Sequence, residues 1–157
     1  MCGAGGKSKT RLDTYSKFSN QGDSVSITEK MIENQILQYL SIKRIFSFKI
    51  NSTGVFDPRQ GRFLKSRNKH HINGISDIMG VVNDGSGRIL AIECKKPYLS
   101  KKTNQFKYRT QEELEKLASA EQVLFINNIK KSGGIAFYAD TIGVVEDQLK
   151  LYGVIKV

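Results

Sequence analysis

Residues 74–97 read GISDIMGVVNDGSGRILAIECKKP and predict a β-hairpin. Two runs rich in isoleucine and valine, at 75–82 and 88–95, flank the turn-forming residues 83–87. The second run is apolar on both alternating faces, which is typical of a strand buried on both sides. It nevertheless closes with Glu93 and Lys95 on one face. We therefore expect charged side chains at the end of a buried strand.

The hairpin register decides which side chains meet at that end. A three-residue turn centred on Gly85 would place Asp77 opposite Glu93, within about 5 Å at the Cβ atoms, whereas a four-residue turn would shift the pairing by one residue. Buried carboxylates are costly unless they pair or bind a metal. Two carboxylates and a backbone carbonyl suit Mg²⁺, and a neighbouring lysine can orient the attacking water.

Asp77 followed by Glu93-Cys94-Lys95 resembles the D and (D/E)-x-K elements of the PD-(D/E)xK nuclease superfamily. Within it the chain is most similar to the VRR-NUC nucleases, which are common in phages and occur in a eukaryotic DNA-repair nuclease. Further matching blocks fall in the family's order, at 32–40, 51–57, 74–80, 91–97 and 119–122 leading to 133–136. The first motif has Ser76 where the superfamily has proline, which shapes the backbone and supplies no ligand.

The resemblance implies an α/β fold with a restriction-endonuclease-like core, a mixed central β-sheet flanked by helices. It implies a Mg²⁺- or Mn²⁺-dependent endodeoxyribonuclease, in which Lys95 positions the attacking water. The implied metal ligands are Asp77, Glu93, the Cys94 carbonyl and, directly or through water, Glu33. Gln122 aligns with a glutamine usual in the family. It either orders a water or the carboxylates, or is only a capping-box partner.

Small phage relatives are associated with dimers and with structure-selective cleavage. The resemblance therefore implies a homodimer acting on branched DNA such as the Holliday junction, in the cytoplasm of a host cell. A sequence-specific restriction-type nuclease is the enzymatic alternative, although it usually needs a larger reading surface. A DNA-binding module that has lost catalysis is the other alternative. The complete set of Asp77, Glu93 and Lys95 argues against it.

Composition sets the broad class of the protein. The 157 residues suit one domain, over 26–157, behind a mobile basic tail at 1–25. The net charge of +10, from 25 basic and 15 acidic residues, favours polyanions, with nucleic acid as the first candidate. Without a long apolar run, a signal sequence or a glycine-rich nucleotide fingerprint, we expect a soluble cytoplasmic protein that uses no membrane and no nucleotide cofactor. We expect no disulfide between Cys2 and Cys94.

The first predicted helix carries glutamates inside its apolar stripe. A capping box from Ser26 to Glu29 predicts a helix reaching about Ser41, with Ile32, Ile36, Leu37 and Leu40 on one face. Glu29 is explained by the capping box. Glu33 either points at the metal site, as the resemblance implies, or lies at the stripe edge and reaches solvent.

Three basic segments are candidate DNA contacts. Each has a structural alternative: a polar hairpin tip near Asn51, a solvated loop at 66–73, and, at 96–109, a loop packed down by its aromatic residues Tyr98, Phe106 and Tyr108. The candidate DNA-binding residues are Lys49, Asn51, Arg67, Lys69, Lys96, Lys101 and Lys102.

The remaining elements are predicted from periodicity and capping signals. Capping boxes at Thr110 and Ser119 predict either one long helix or a short helix followed by a second. The resemblance implies a break near residues 118–119, because the family's last main helix begins at the position matching Ser119. That helix would carry Phe125 and Ile129 inward and end with a C-cap at Gly133. Strands are expected at 45–50, 62–65, 135–139 and 154–157, and a helix at 144–151.

Overall fold

A computed structural model of the chain describes residues 27–50, 55–64, 72–100, 103 and 105–156. Four helices and six strands lie in these ranges. In chain order they are α1 (Glu29–Ile42), β1 (Phe46–Lys49), β2 (Val55–Asp57), β3 (Arg62–Leu64), β4 (Ile78–Val81), β5 (Ile89–Cys94), α2 (Gln111–Glu115), α3 (Ala120–Lys131), β6 (Ile135–Ala139) and α4 (Ile142–Leu151).

The central sheet has the strand order β1-β4-β5-β6. Its first two pairs are antiparallel and its last pair is parallel, so the sheet is mixed. Helices α2 and α3 form the crossover that a parallel pair requires. Strands β2 and β3 form a separate antiparallel pair. The predicted α/β class with a mixed sheet flanked by helices is confirmed.

The β4–β5 hairpin has the register of a turn centred on Gly85. Ile78 pairs with Ile92 and Val81 with Ile89, and continuing that register places Asp77 opposite Glu93. Gly85 has a φ of +81°, a conformation that glycine adopts without a Cβ clash. The turn is tied by the Asp84 carboxylate, which accepts a hydrogen bond from the Ser86 N–H at 2.9 Å. The register is therefore the one that a turn centred on Gly85 predicts, and not the one shifted by a residue.

The core lies around the two parallel strands. All five residues of β6 are buried, as are the last five of β5. Helices α1 and α4 pack against each other, α3 contacts both strands, and α2 contacts β6. Beside β6, the Gln111 side chain pairs with the backbone of Tyr138, donating from Nε2 to its carbonyl at 2.8 Å and accepting from its N–H at 2.9 Å. This amide occupies backbone groups that another strand would otherwise use.

Helix α1 begins later than predicted. Its N-cap is Thr28, whose extended backbone lets the hydroxyl accept a hydrogen bond from the Met31 N–H, so the capping box from Ser26 is wrong. Glu29 is consequently the first residue of the helix and not the third. Both other capping boxes form as predicted, at Thr110 and Ser119, and the two helices they begin are separate.

The predicted final strand at 154–157 is wrong over the described residues 154–156. Gly153 has a φ of +70° and turns the chain back over the end of α4. Its N–H bonds the Lys150 carbonyl at 2.9 Å, and the Val154 N–H bonds the Leu149 carbonyl at 2.8 Å. These two bonds satisfy the last carbonyls of the helix, so the segment caps α4 and pairs with no strand. Helix α4 itself starts at Ile142, two residues before the predicted start.

Helices of the described part of the chain are too short or too polar to cross a membrane.

Candidate active site

The candidate site lies where β5 ends and β4 begins. Asp77 immediately precedes β4, Glu93 is the penultimate residue of β5, and Lys95 follows that strand. Gln122 in the first turn of α3 reaches the same point, as its hydrogen bonds show. Glu33 of α1 lies at the same end of the sheet, because it pairs with Lys49, whose strand partner Ile78 directly follows Asp77. Parts of the chain far apart in sequence thus supply one group of side chains.

Glu93, Lys95 and Gln122 form a closed hydrogen-bonded set. The Lys95 Nζ donates to Glu93 Oε1 and to Gln122 Oε1, each at 3.0 Å, and Gln122 Nε2 donates to Glu93 Oε1. Glu93 is 1% exposed and Lys95 is 8% exposed. An ammonium that donates hydrogen bonds to two side chains of fixed position is itself fixed in position. Lys95 therefore has a fixed position in the site.

Gln122 makes the capping-box contact and also contacts Glu93 and Lys95, so it is not only a capping-box partner. Its Oε1 accepts from the Ser119 N–H at 2.9 Å and so completes the capping box of α3. The same side chain donates to Glu93 and accepts from Lys95. The start of α3 and the position of the two charged residues are thus set by one amide.

Glu93 carries the clearest electrostatic signal of the site. Burial and then the negative charge of Asp77 raise the pKa of Glu93 from 4.5 to about 7, against the opposing effect of Lys95. Its second oxygen, Oε2, is buried and accepts no hydrogen bond within the described part of the chain. A buried carboxylate oxygen without a donor is uncommon, and it favours a ligand with positive charge at that position.

Asp77 is held by backbone groups. Its Oδ2 accepts from the Cys94 N–H at 2.8 Å, and its carbonyl accepts from the Ile50 N–H at 2.7 Å. Burial raises the pKa of Asp77, the Cys94 N–H lowers it, and the charge of Glu33 raises it. Asp77 and Glu93 are therefore two carboxylates whose charges disfavour each other, an arrangement that a cation would stabilise.

Glu33 points inward and not to solvent. It is 8% exposed, and its Oε2 accepts from the Lys49 Nζ. The stripe-edge alternative is therefore wrong. Lys49, a candidate phosphate contact, is the ion-pair partner of Glu33 in this structure.

Glu29 belongs to the site, although its place in the sequence suggested only a capping role. It lies one helical turn before Glu33 and lines a recess together with Lys95. Burial, then the charge of Asp77, raises the pKa of Glu29. The sequence contains a signal for this role of Glu29, because Glu29 and Glu33 both fall in the apolar stripe of the helix.

The remaining candidates are placed differently. The Cys94 side chain is fully buried in the core, and burial raises the pKa of its thiol, so the residue reaches the site only through its backbone. Lys96 lines the recess beside Lys95. Asn51, Arg67, Lys69, Lys101 and Lys102 lie outside the described residues.

The carboxylates fit a hard divalent cation. Mg²⁺ is usually bound by one or two carboxylates together with waters and substrate phosphates. Asp77 and the unpartnered oxygen of Glu93 can supply that set. No cluster of three or more histidine, cysteine, aspartate or glutamate side chains suited to a metal occurs among the residues with described positions.

A second recess, of about 300 Å³, lies on the Gln122 side of Asp77. Gly74 in its wall has a φ of +71°, and a Cβ there would be 2.4 Å from the Glu121 carbonyl carbon. The segment before β4 therefore packs directly on the start of α3. This contact fixes Asp77 relative to Gln122.

Comparison of the chain with protein-family models, with curated proteins and with solved structures found no match.

Proposed function

We propose that the protein is a Mg²⁺- or Mn²⁺-dependent endodeoxyribonuclease with a restriction-endonuclease-like core. The observation that carries the proposal is the side-by-side placement of Asp77 and Glu93, with the Lys95 Nζ 3.0 Å from Glu93. The buried Glu93 Oε2 also has no donor among the residues that the structure describes. Two carboxylates and an adjacent lysine are the groups that metal-assisted phosphodiester hydrolysis needs. The net charge of +10 supports a polyanionic substrate.

Each side chain has a defined task in this reaction. Asp77 and Glu93 would hold the cation, which when bound polarises a phosphoryl oxygen. The Lys95 ammonium donates to the attacking water and offsets negative charge on the pentavalent phosphate. The water oxygen forms a bond to phosphorus and releases a proton to solvent, as the bond to the 3′-oxygen breaks. The products are a 3′-hydroxyl, which takes up a proton, and a 5′-phosphate.

Branched DNA is the proposed substrate, and a homodimer is the proposed active form. A domain with one active site cuts one strand, so cleavage of two strands at a junction requires two copies related by symmetry. The mass of the protein in solution, measured by light scattering with and without a four-way junction, tests the dimer. A monomeric mass in both conditions would contradict it.

The decisive experiment compares Lys95→Ala with the wild-type protein. Labelled duplex, single-stranded, flap and four-way-junction DNA are incubated with Mg²⁺, Mn²⁺ or EDTA. We expect metal-dependent nicking that Lys95→Ala lowers by about 10²–10³-fold, the usual cost of losing a group that stabilises transition-state charge.

The matched control is Lys150→Ala. Lys150 also pairs with a glutamate, Glu146, at 3.0 Å, but within α4. Nicking that persists equally in Lys95→Ala and Lys150→Ala would come from a contaminant and would refute the assignment. Intact DNA in every condition, bound with a steep salt dependence, would favour a DNA-binding module. Cutting at one sequence in plain duplex would favour the restriction-type alternative.

A further inference from the structure

A recess of about 450 Å³ opens beside Lys95, and we call it the Tyr98 pocket. Its lining combines four apolar side chains with three cations and one carboxylate. The apolar ones are Pro97, Tyr98, Leu99 and Leu117, the cations are Lys95, Lys96 and Arg109, and the carboxylate is Glu29. The volume lies in the range of about 300–1,000 Å³ that is usual for small-molecule sites.

One cation in the lining of the Tyr98 pocket, Arg109, is held in place. The Arg109 Nε donates to Asp140 Oδ2 at 2.8 Å, and its Nη2 donates to the Lys96 carbonyl. Asp140 is itself buried at the end of β6. The guanidinium is thus fixed by an ion pair with the sheet and by a bond to the chain that leaves β5. Although Asp140 offsets its charge, a guanidinium held in this way can donate from its remaining N–H groups to a ligand without the entropic cost of ordering a free side chain.

The apolar wall is held in place but is not covered. The Tyr98 carbonyl accepts from the Lys107 N–H at 2.9 Å, and the Ser100 N–H bonds the Gln105 carbonyl at 2.9 Å, which closes the segment into a small antiparallel loop. Yet Tyr98 is 52% exposed. The alternative in which the aromatic residues pack the loop down therefore does not hold for Tyr98.

The chemistry of this lining matches one nucleotide. An apolar ligand would gain nothing from three cations, and a lone phosphate would gain nothing from an exposed aromatic ring beside two leucines. A base with its phosphate uses both, since bases stack on aromatic rings and phosphates pair with Arg and Lys. Glu29 in the same lining repels a phosphate placed next to it, whereas the amino group of a base can donate to its carboxylate.

A base-paired nucleotide cannot expose a face of its base to the Tyr98 ring. In a duplex each base is covered on both faces by its neighbours, so only an unpaired or extruded base can lie on a tyrosine ring. We propose that the Tyr98 pocket binds one unpaired nucleotide adjacent to the phosphate cut at Lys95. The inference rests on the proposed function and explains why its substrate would be branched DNA.

Binding of uncut DNA in EDTA tests the pocket. Flap DNA carries 2-aminopurine at the first unpaired position, and a fully paired duplex carries it at the matching position. We expect the wild-type protein to quench the flap fluorophore. Tyr98→Ala should lose that quenching and bind the flap about tenfold more weakly, with unchanged affinity for duplex. Tyr98→Phe should keep the ring and the quenching.

Two further variants make the result specific. Phe46→Ala removes an exposed aromatic ring from β1 and should behave as the wild-type protein does. Leu117→Trp fills the pocket and should reproduce the selective loss of flap binding. An equal loss on flap and duplex in Tyr98→Ala, or no loss on either, would overturn the inference.

Cleavage assays distinguish a failure of this inference from a failure of the proposed function. Metal-dependent nicking of flaps with equal efficiency by wild type and Tyr98→Ala would overturn the pocket and leave the nuclease standing. Quenching that depends on Tyr98, without nicking in any metal, would support the pocket as a nucleotide site and overturn the nuclease.

Discussion

At the scale of single residues, the two carboxylate oxygens of Glu93 have different surroundings. One of its oxygens is shared by Lys95 and Gln122, and the other is buried with no donor from the described ranges of the chain. Such a carboxylate is most stable either protonated or beside a cation. Protons and divalent ions should therefore compete for the same group.

That competition predicts a pH-dependent response to Mg²⁺. Because folding raises the pKa of Glu93 from 4.5 to about 7, the folded protein binds more protons than the unfolded chain in that window. This group therefore lowers the free energy of unfolding as pH rises from about 4.5 to 7. At pH 8, Mg²⁺ at a hundredfold excess over its Kd should raise the Tm by about 5–10 °C, and at pH 5 by far less.

Thermal unfolding followed by circular dichroism measures the effect. Asp77→Asn should lose the Mg²⁺ response at pH 8, and Lys150→Ala should keep it. An equal response to Mg²⁺ at pH 5 and pH 8 would show that the ion binds elsewhere.

At the scale of elements, the start of α3 has two separable functions. Ser119→Ala removes the hydroxyl that accepts from the Gln122 N–H but leaves the contacts of Gln122 with Glu93 and Lys95. It should cost about 1 kcal/mol of stability, as lost N-caps do, with little change in nicking. Gln122→Ala should cost a similar amount and lower nicking by at least about tenfold, because Lys95 loses a fixed acceptor. Urea unfolding and nicking rates of both variants decide this, and equal nicking by the two would assign Gln122 a capping role alone.

The contact of Gly74 with α3 allows a second test at this scale. Gly74→Ala places a Cβ against the Glu121 backbone, whereas Gly85, with a φ of +81°, has open space around it. Gly85→Ala should lose only about 1 kcal/mol, the cost of its backbone conformation. Gly74→Ala should lose more and should also slow nicking, since the segment carrying Asp77 must move. Matched stability and activity losses in the two variants would argue against the contact as a positioning device.

Local signals in the sequence predict some of these elements well and others poorly. The two capping boxes follow from short-range chemistry, and the structure has them. The hairpin register depended on a turn length that the sequence left open, and the break before α3 was favoured by the family resemblance and not by a local signal. The strand expected at 154–157 failed because Gly153 redirects the chain into a helix cap, and β-type residues alone do not reveal that choice. The Lys49–Glu33 ion pair depends on the packing of strand β1 next to α1, which no local sequence pattern predicts. The same is true of Arg109 and Asp140, which are brought together by the sheet.

At the scale of the whole molecule, the charge of +10 predicts salt-sensitive DNA binding. If the protein neutralises about five phosphates, the logarithm of the binding constant should fall with the logarithm of salt concentration at a slope of about −4.5. Affinity for duplex in EDTA would then drop by about 10²–10³-fold between 50 and 200 mM salt. Fluorescence anisotropy across a salt series measures the slope, and a slope near zero would rule out phosphate contacts as the source of affinity.

The amide of Gln111 bears on how copies of the folded chain behave at high concentration. Because it occupies the backbone N–H and carbonyl of Tyr138, β6 does not offer these groups to a strand from another molecule. Gln111→Ala would expose them while leaving the core untouched. The variant should still fold, yet it should form sheet-extended aggregates on storage, because the sheet would gain a template for further strands.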